Sequence, residues 1–226
     1  MKKRLGIYLL AVVMLLGIVA MPVAGSAQEE LRGATSLSIL ASAVPVEIYD
    51  APGAEPVFVY DEAHYELASR VEDGTLDIQI KPRPGIFMKA DTIQLFLPMG
   101  DYTEIAIEAN AGAVTLMPFH ANLTAEISAG VFTCYLPKDF ANDLAIETTA
   151  SALEVFIHEE FQDFTIEVVD GELSAVSLPN GVSAGAKVGN GTHTLRFEPA
   201  VSSLEISWYG DADSIPSATP PEAAAQ

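Results

Sequence analysis

The phrase LTAEISAG (residues 123–130) recurs along the chain about every twenty residues. A unit that short cannot bury a core alone and must stack on its neighbours. Aligned on the closing small residue, the copies read IAIEANAG (105–112), LTAEISAG (123–130), LAIETTAS (144–151), FTIEVVDG (164–171) and AGAKVGNG (184–191). The fourth position is Glu108, Glu126, Glu147, Glu167 and Lys187, in steps of 18, 21, 20 and 20. The eighth is Gly112, Gly130, Ser151, Gly171 and Gly191, with weaker copies at Gly74 and Gly210.

A second alternating stretch follows each small residue: AVTLMP, VFTCYLP, ALEVFI, ELSAVSLP and THTLRFEP. Most close on a proline, at Pro118, Pro137, Pro179 and Pro199, and DTIQLFLP (91–98) is the same half without a clear first. Each unit therefore reads as strand, tight turn, strand, wider turn. Alternation turns Ile105, Ile107, Leu123, Ile127, Leu144, Ile146, Phe164 and Ile166 to one side of the first strand. Leu116, Phe132, Leu136, Leu153, Val155, Leu173, Leu195 and Phe197 form the matching side of the second. Glycine suits a sharp corner because it accepts positive φ, and Ser151 departs from that pattern. Proline lacks an amide donor and ends each strand. Phe119, Phe140 and Phe161 recur in the wider turn at steps of 21, the spacing of a stacked aromatic plug.

The expected fold is all-β: a right-handed parallel β-solenoid with about twenty residues per coil and strands about 4.8 Å apart. A β-sandwich is the alternative, since it too offers many short strands. The solenoid alone requires columns of like residues at a fixed step. On this reading residues 28–210 form the domain and residues 31–82 cap its first coil. Residues 211–226 (DADSIPSATPPEAAAQ) form a disordered tail.

Residues 1–27 have the layout of a secretory signal. Lys2, Lys3 and Arg4 precede the apolar run Leu5–Ala20, then Pro22 and the small residues Ala24, Gly25, Ser26 and Ala27. An uncleaved transmembrane anchor is the alternative, because about 20 apolar residues can span a bilayer. Either way the bulk of the chain is expected outside the cytoplasm. The net charge is −20, or −23 without Lys2, Lys3 and Arg4. Such a surface repels nucleic acid and anionic headgroups, so no nucleic-acid partner is expected, and a membrane only through the N-terminal anchor. Cys134, the single cysteine, can form no internal disulfide and alternates with Phe132 and Leu136 as a small buried hydrophobe.

The Leu-x-Ile-Glu-x-x-x-Gly phrase followed by Val-Thr-Leu-x-x-Pro resembles a family of bacterial putative adhesin domains of unknown function. The resemblance covers roughly residues 35–209 and extends to putative autotransporter adhesin head domains. It implies a β-helix-like solenoid, location at the cell envelope and a binding or scaffolding role. It offers no catalytic residues to carry over.

The sequence contains no nucleophile elbow, phosphate-binding loop or zinc pattern, and Gly189-Asn190-Gly191 precedes a strand instead of a helix. His64, His120, His158 and His193 are scattered, and His193 sits in the inward phase beside Leu195. Neither catalytic residues nor a cofactor is expected. The outward row Glu108, Glu126, Glu147 and Glu167 is the one cation candidate: stacked carboxylates repel, and a divalent ion would relieve them. Screening by salt is the simpler account. A second outward row runs Thr115, Thr133, Glu154, Ser174 and Thr194. Asn122-Leu123-Thr124 and Asn190-Gly191-Thr192 are glycosylation sequons in a host that uses them. The expected function is that of an exported, non-enzymatic surface or cell-envelope module, secreted or on the cell surface, with an unknown surface protein or glycan as partner. A membrane-tethered accessory protein of an envelope-stress system is the alternative. A polysaccharide-acting β-helix enzyme ranks lower, because its carboxylates would lie on a flat exposed face.

Overall fold

The computed structural model describes residues 33–85, 91–169, 175–179, 183, 185, 187–200, 202–210, 215, 216, 218 and 219. Residues 1–27 and the repeat members Gly171, Leu173 and Ser174 lie outside the described residues. Fifteen strands follow in order: β1 (Ser36–Ser42), β2 (Pro45–Asp50), β3 (Val57–Val59), β4 (Tyr65–Glu72), β5 (Thr75–Pro82), β6 (Ile93–Leu97), β7 (Glu104–Leu116) and β8 (Asn122–Leu136). After these come β9 (Leu144–Thr149), β10 (Ser151–His158), β11 (Phe164–Val168), β12 (Ala175–Ser177), β13 (Lys187–Val188), β14 (His193–Ala200) and β15 (Ser203–Tyr209). A 3₁₀ turn spans Met99–Asp101, and there is no α-helix among the described residues.

All fifteen strands belong to one mixed sheet, bent so that it has two halves. The first half runs β4-β5-β1-β7-β8-β9-β14-β11-β13, and the second runs β3-β6-β2-β7-β8-β10-β15-β12. The long strands β7 and β8 pass through both. Among the described residues, antiparallel pairing occurs only at β4–β5, β3–β6 and β11–β13, each at an end of a half; every other pairing is parallel. Alternation explains the bend. Ile105 and Ile107 before the corner, and Val114 and Leu116 after it, all enter a single buried cluster, so the two halves enclose one core. Each fully buried Leu, Ile or Phe contributes about 1.5–3 kcal/mol, and this shared core is what holds the bend closed.

The corner is a column of its own. Ala43, Ala111 and Ala150 adopt left-handed φ values of 55°, 58° and 55°. The residues just after them, Val44, Gly112 and Ser151, stack in one column with Gly130, Gly112 pairing with Gly130 and Gly130 with Ser151. Glycine is required here mainly for close approach. A Cβ on Gly112 would overlap the Val44 carbonyl oxygen, and one on Gly130 would overlap that of Gly112. Ser151 tolerates its side chain because the hydroxyl is buried within 3.1 Å of the Ile127 and Thr149 carbonyls. Its amide donates to Ser202 Oγ at 3.1 Å.

The wider turns close the remaining side. Phe119 and Phe140 meet edge to face with centroids 5.4 Å apart, and Phe140 and Phe161 repeat that contact at 5.7 Å. Phe161 then meets Phe164 at 5.0 Å. The expected plug is therefore a continuous chain of buried rings.

Strand order departs from chain order at both ends. β1 and β2 lie between β5 and β6 on one side and β7 on the other, so the described part of the expected cap, residues 33–82, supplies members of the stack as well as its edges. β14 and β15 lie between β9 and β10 on one side and β11 and β12 on the other. Two expectations change with this. Leu195 and Phe197 belong to a first-half strand, not a second. Among the described residues, the copy at 184–191 contributes β13 alone, whose Lys187 pairs antiparallel with Thr165. A Gly-rich turn at Gly189 and Gly191, both with positive φ, reverses the chain there.

Candidate functional site

Each half presents a flat outward face with residues ranked in rows. On the first half, successive strands align Gln79, Leu40, Glu108, Glu126, Glu147 and Glu198. Three of the four glutamates expected in a row are thus adjacent, and the fourth is not. β14 stands between β9 and β11, so Glu198 takes the place beside Glu147 while Glu167 pairs in register with Arg196. The row is also less purely acidic than the repeat implied. Arg196 Nε donates to Glu198 Oε1 at 2.6 Å, and its Nη1 lies 3.7 Å from Glu167 Oε2. Asn110 Nδ2 donates to Glu108 Oε1 at 3.0 Å. Glu108, Glu126 and Glu147 are exposed, and their carboxylates repel across strands about 4.8 Å apart. Among the described residues no three His, Cys, Asp or Glu side chains converge to hold a metal ion.

Strand starts on this face are tied by a polar ladder. The Asp143 amide donates to Asn122 Oδ1 at 3.0 Å, and the Thr194 amide donates to Asp143 Oδ1 at 2.7 Å. Thr194 therefore lies in this first-half ladder and not in the hydroxyl row expected of it. The Thr192 amide likewise donates to Asp163 Oδ1 at 2.8 Å, which holds that carboxyl below the usual range.

The second half carries two rows. One aligns Gln94, Glu47, Thr115, Thr133, Glu154, Glu205 and Ser177. Thr115, Thr133 and Glu154 fall where the repeat put them; Gln94 comes from the half copy at 91–98, and Glu47 and Glu205 from outside the aligned copies. Thr133 Oγ1 donates to Glu154 Oε2 at 3.2 Å, and Gln94 Nε2 donates to Glu47 Oε2 at 3.2 Å. Two residues further along each strand runs a row of large apolar side chains that the sequence reading missed. Phe96 stands beside Tyr49, and Tyr135 beside Phe156. Met117 bridges them, one residue past the register of Ile48, Leu116 and Cys134. The rings stack nearly face to face: Tyr49 on Phe96 at 5.2 Å and 16°, Tyr135 on Phe156 at 4.9 Å and 12°. Tyr49 Oη donates to Glu47 Oε2 at 2.7 Å, tying the two rows together. Burial first, and the neighbouring Glu47 second, raise the Tyr49 phenol well above its ordinary range. Burial pushes Tyr209, which meets Tyr135 edge to face at 5.9 Å, up to about 12.

The histidines stay apart. His64 Nδ1 lies 2.7 Å from Asp61 Oδ2, His120 Nε2 lies 3.8 Å from Asp139 Oδ1, and His158 Nδ1 accepts the Glu160 amide at 3.1 Å. His193 is half-buried beside Phe161. Cys134 is fully buried, and burial raises its thiol far above the usual range. No helix among the described residues is long and apolar enough to cross a membrane.

No family model matches the chain, and no curated protein matches it. Among solved structures, it is similar to a putative cell adhesion protein from Clostridium sporogenes ATCC 15579, determined at 1.95 Å resolution. The two are 15% identical with a TM-score of 0.56, and the match covers 85% of this chain and 98% of the other. At that identity the likeness is one of fold alone.

Proposed function

We propose that the chain is an exported, non-enzymatic surface or cell-envelope module, adhesin-like, built as a right-handed parallel β-solenoid. One observation carries the reading: stacked strands hold outward side chains in register, six of them from Gln79 to Glu198 on one face and seven from Gln94 to Ser177 on the other. Parallel stacking spaces those groups about 4.8 Å apart. Side chains ranked this way diverge into solvent and offer many equivalent contacts to an extended partner, a surface protein or a glycan. Catalysis instead needs a few groups converging on one reacting atom. The putative cell adhesion protein of similar fold supports the same reading, as does the signal-like layout of residues 1–27.

Labelling intact cells of the source organism with a membrane-impermeant biotin reagent, followed by mass spectrometry, tests location. The chain should be labelled on whole cells, with an N-terminus near Gln28 if the signal is removed. Labelling only after lysis would overturn the proposal. Purified protein should then bind intact cells or an array of envelope glycans and surface proteins saturably. Turnover of a polysaccharide in that screen would favour the enzymatic reading instead.

A further inference from the structure

The apolar row on the second half is outward in phase and yet buried. Phe96, Tyr49, Met117 and Tyr135 are each less than a tenth exposed, although an open sheet face would leave them wet. Val57, paired with Phe96, extends the row at its far end. The residues that pack against it from beyond the last strand are Ile215 and Ala218, both half-buried.

Chain length permits this. Six Cα-to-Cα steps join Tyr209 to Ile215, a reach of up to roughly 20 Å, or about four strand spacings. Tyr209 itself belongs to the cluster, so the segment starts at one end of the row. Ile215 and Ala218 are three residues apart, and Pro216, Pro220 and Pro221 surround them. Three residues is the repeat of a polyproline II strand, which would bring Ile215 and Ala218 to one side. Extended proline-containing segments dock on aromatic-lined grooves, because their backbone loses little entropy on binding and their rings and methyls fit between flat side chains.

We propose that the row Phe96, Tyr49, Met117, Tyr135 and Phe156 is a docking groove for an extended proline-containing segment, and that the chain's own C-terminal segment occupies it in cis through Ile215 and Ala218. The polar row from Gln94 to Ser177 runs alongside the groove that this strap occupies.

The test uses the full chain carrying Ile215→Asp and Ala218→Asp together. These half-buried positions follow the last strand, so circular dichroism should remain that of the wild type. The variant should bind the dye ANS several-fold more strongly than the wild type. A fluorescent synthetic peptide of residues 211–226 should bind the variant at least tenfold more tightly than the wild type, whose groove is filled. The same peptide with both aspartates should not bind. Equal ANS binding by the two proteins, or a peptide that binds both equally, would overturn the proposal. A wild type that runs as a dimer and gains ANS binding on dilution would overturn the cis assignment, since the strap would then cross between copies.

Discussion

Replacing Gly130 with alanine probes the corner column where two strands approach most closely. A methyl group there would overlap the Gly112 carbonyl oxygen and stand 2.8 Å from the Gly112 nitrogen, so the backbones of β7 and β8 must separate. Both strands are held on either side, β7 by β1 and β2 and β8 by β9 and β10, which leaves little room to relax. Overpacking of this kind costs about 1–3 kcal/mol. Gly130 also has φ +127°, and a side chain in such a conformation costs about 1–3 kcal/mol more. The expected loss is about 2–6 kcal/mol, a large share of a total of about 5–15 kcal/mol. Gly74→Ala is the control: its φ is +78°, but its nearest neighbour would lie 3.9 Å away, so only the backbone term of about 1 kcal/mol applies. Urea unfolding followed by circular dichroism measures both. If Gly130→Ala costs no more than Gly74→Ala, the close approach at the corner is wrong.

Other outcomes follow from the same geometry. Glu126→Gln should raise stability by about 0.5–1 kcal/mol, because at about 5 Å in water each neighbouring carboxylate repels it by under 1 kcal/mol before screening. Calcium should leave the melting temperature of the wild type unchanged; a calcium-dependent rise that Glu126→Gln abolishes would make the row a cation site. Cys134 should resist thiol reagents in the folded protein and react after denaturation, since it is buried and its thiol is raised. Tyr102 and Tyr209 titrate near 12 when folded and near 10 when unfolded, so above pH 10 the unfolded chain loses protons first. The stability they contribute is complete below pH 10 and lost as pH rises towards 12. Urea midpoints that stay flat between pH 10 and 12 would contradict the burial of both phenols.

Much of the local geometry was legible in the sequence. Alternation identified inward residues such as Ile105, Leu123 and Leu153, and the 21-residue step of Phe119, Phe140 and Phe161 identified the plug. The corner position was also legible, but its physics was not. Positive φ falls largely on Ala43, Ala111 and Ala150, while Gly112 is needed because a neighbouring backbone lies against it. Strand order was not legible. Every repeat carries the same inward pattern, so nothing local distinguishes Glu198 from Glu167 as the neighbour of Glu147. The aromatic row was legible only in part: Phe96, Met117, Tyr135 and Phe156 stand at steps of 21, 18 and 21, but Tyr49 lies outside the aligned copies, and nothing local marks these outward-phase side chains as covered. SLSILAS, by contrast, shows a plain two-residue alternation and could have marked β1 as a full member of the stack.

Strand order is the claim on which both faces depend, and disulfide trapping measures it directly. Glu147 and Glu198 are register partners on adjacent parallel strands, so their Cα atoms should lie near 4.8 Å, inside the range a disulfide can bridge. Glu167 is a strand further away and two residues out of register with Glu198, roughly 12 Å from Glu147 and beyond bridging distance. Cysteines at 147 and 198 should therefore cross-link rapidly under mild oxidation, while cysteines at 147 and 167 should remain reduced. Rapid cross-linking of 147 to 167, with none of 147 to 198, would mean that the repeats stack in chain order and would contradict the arrangement described.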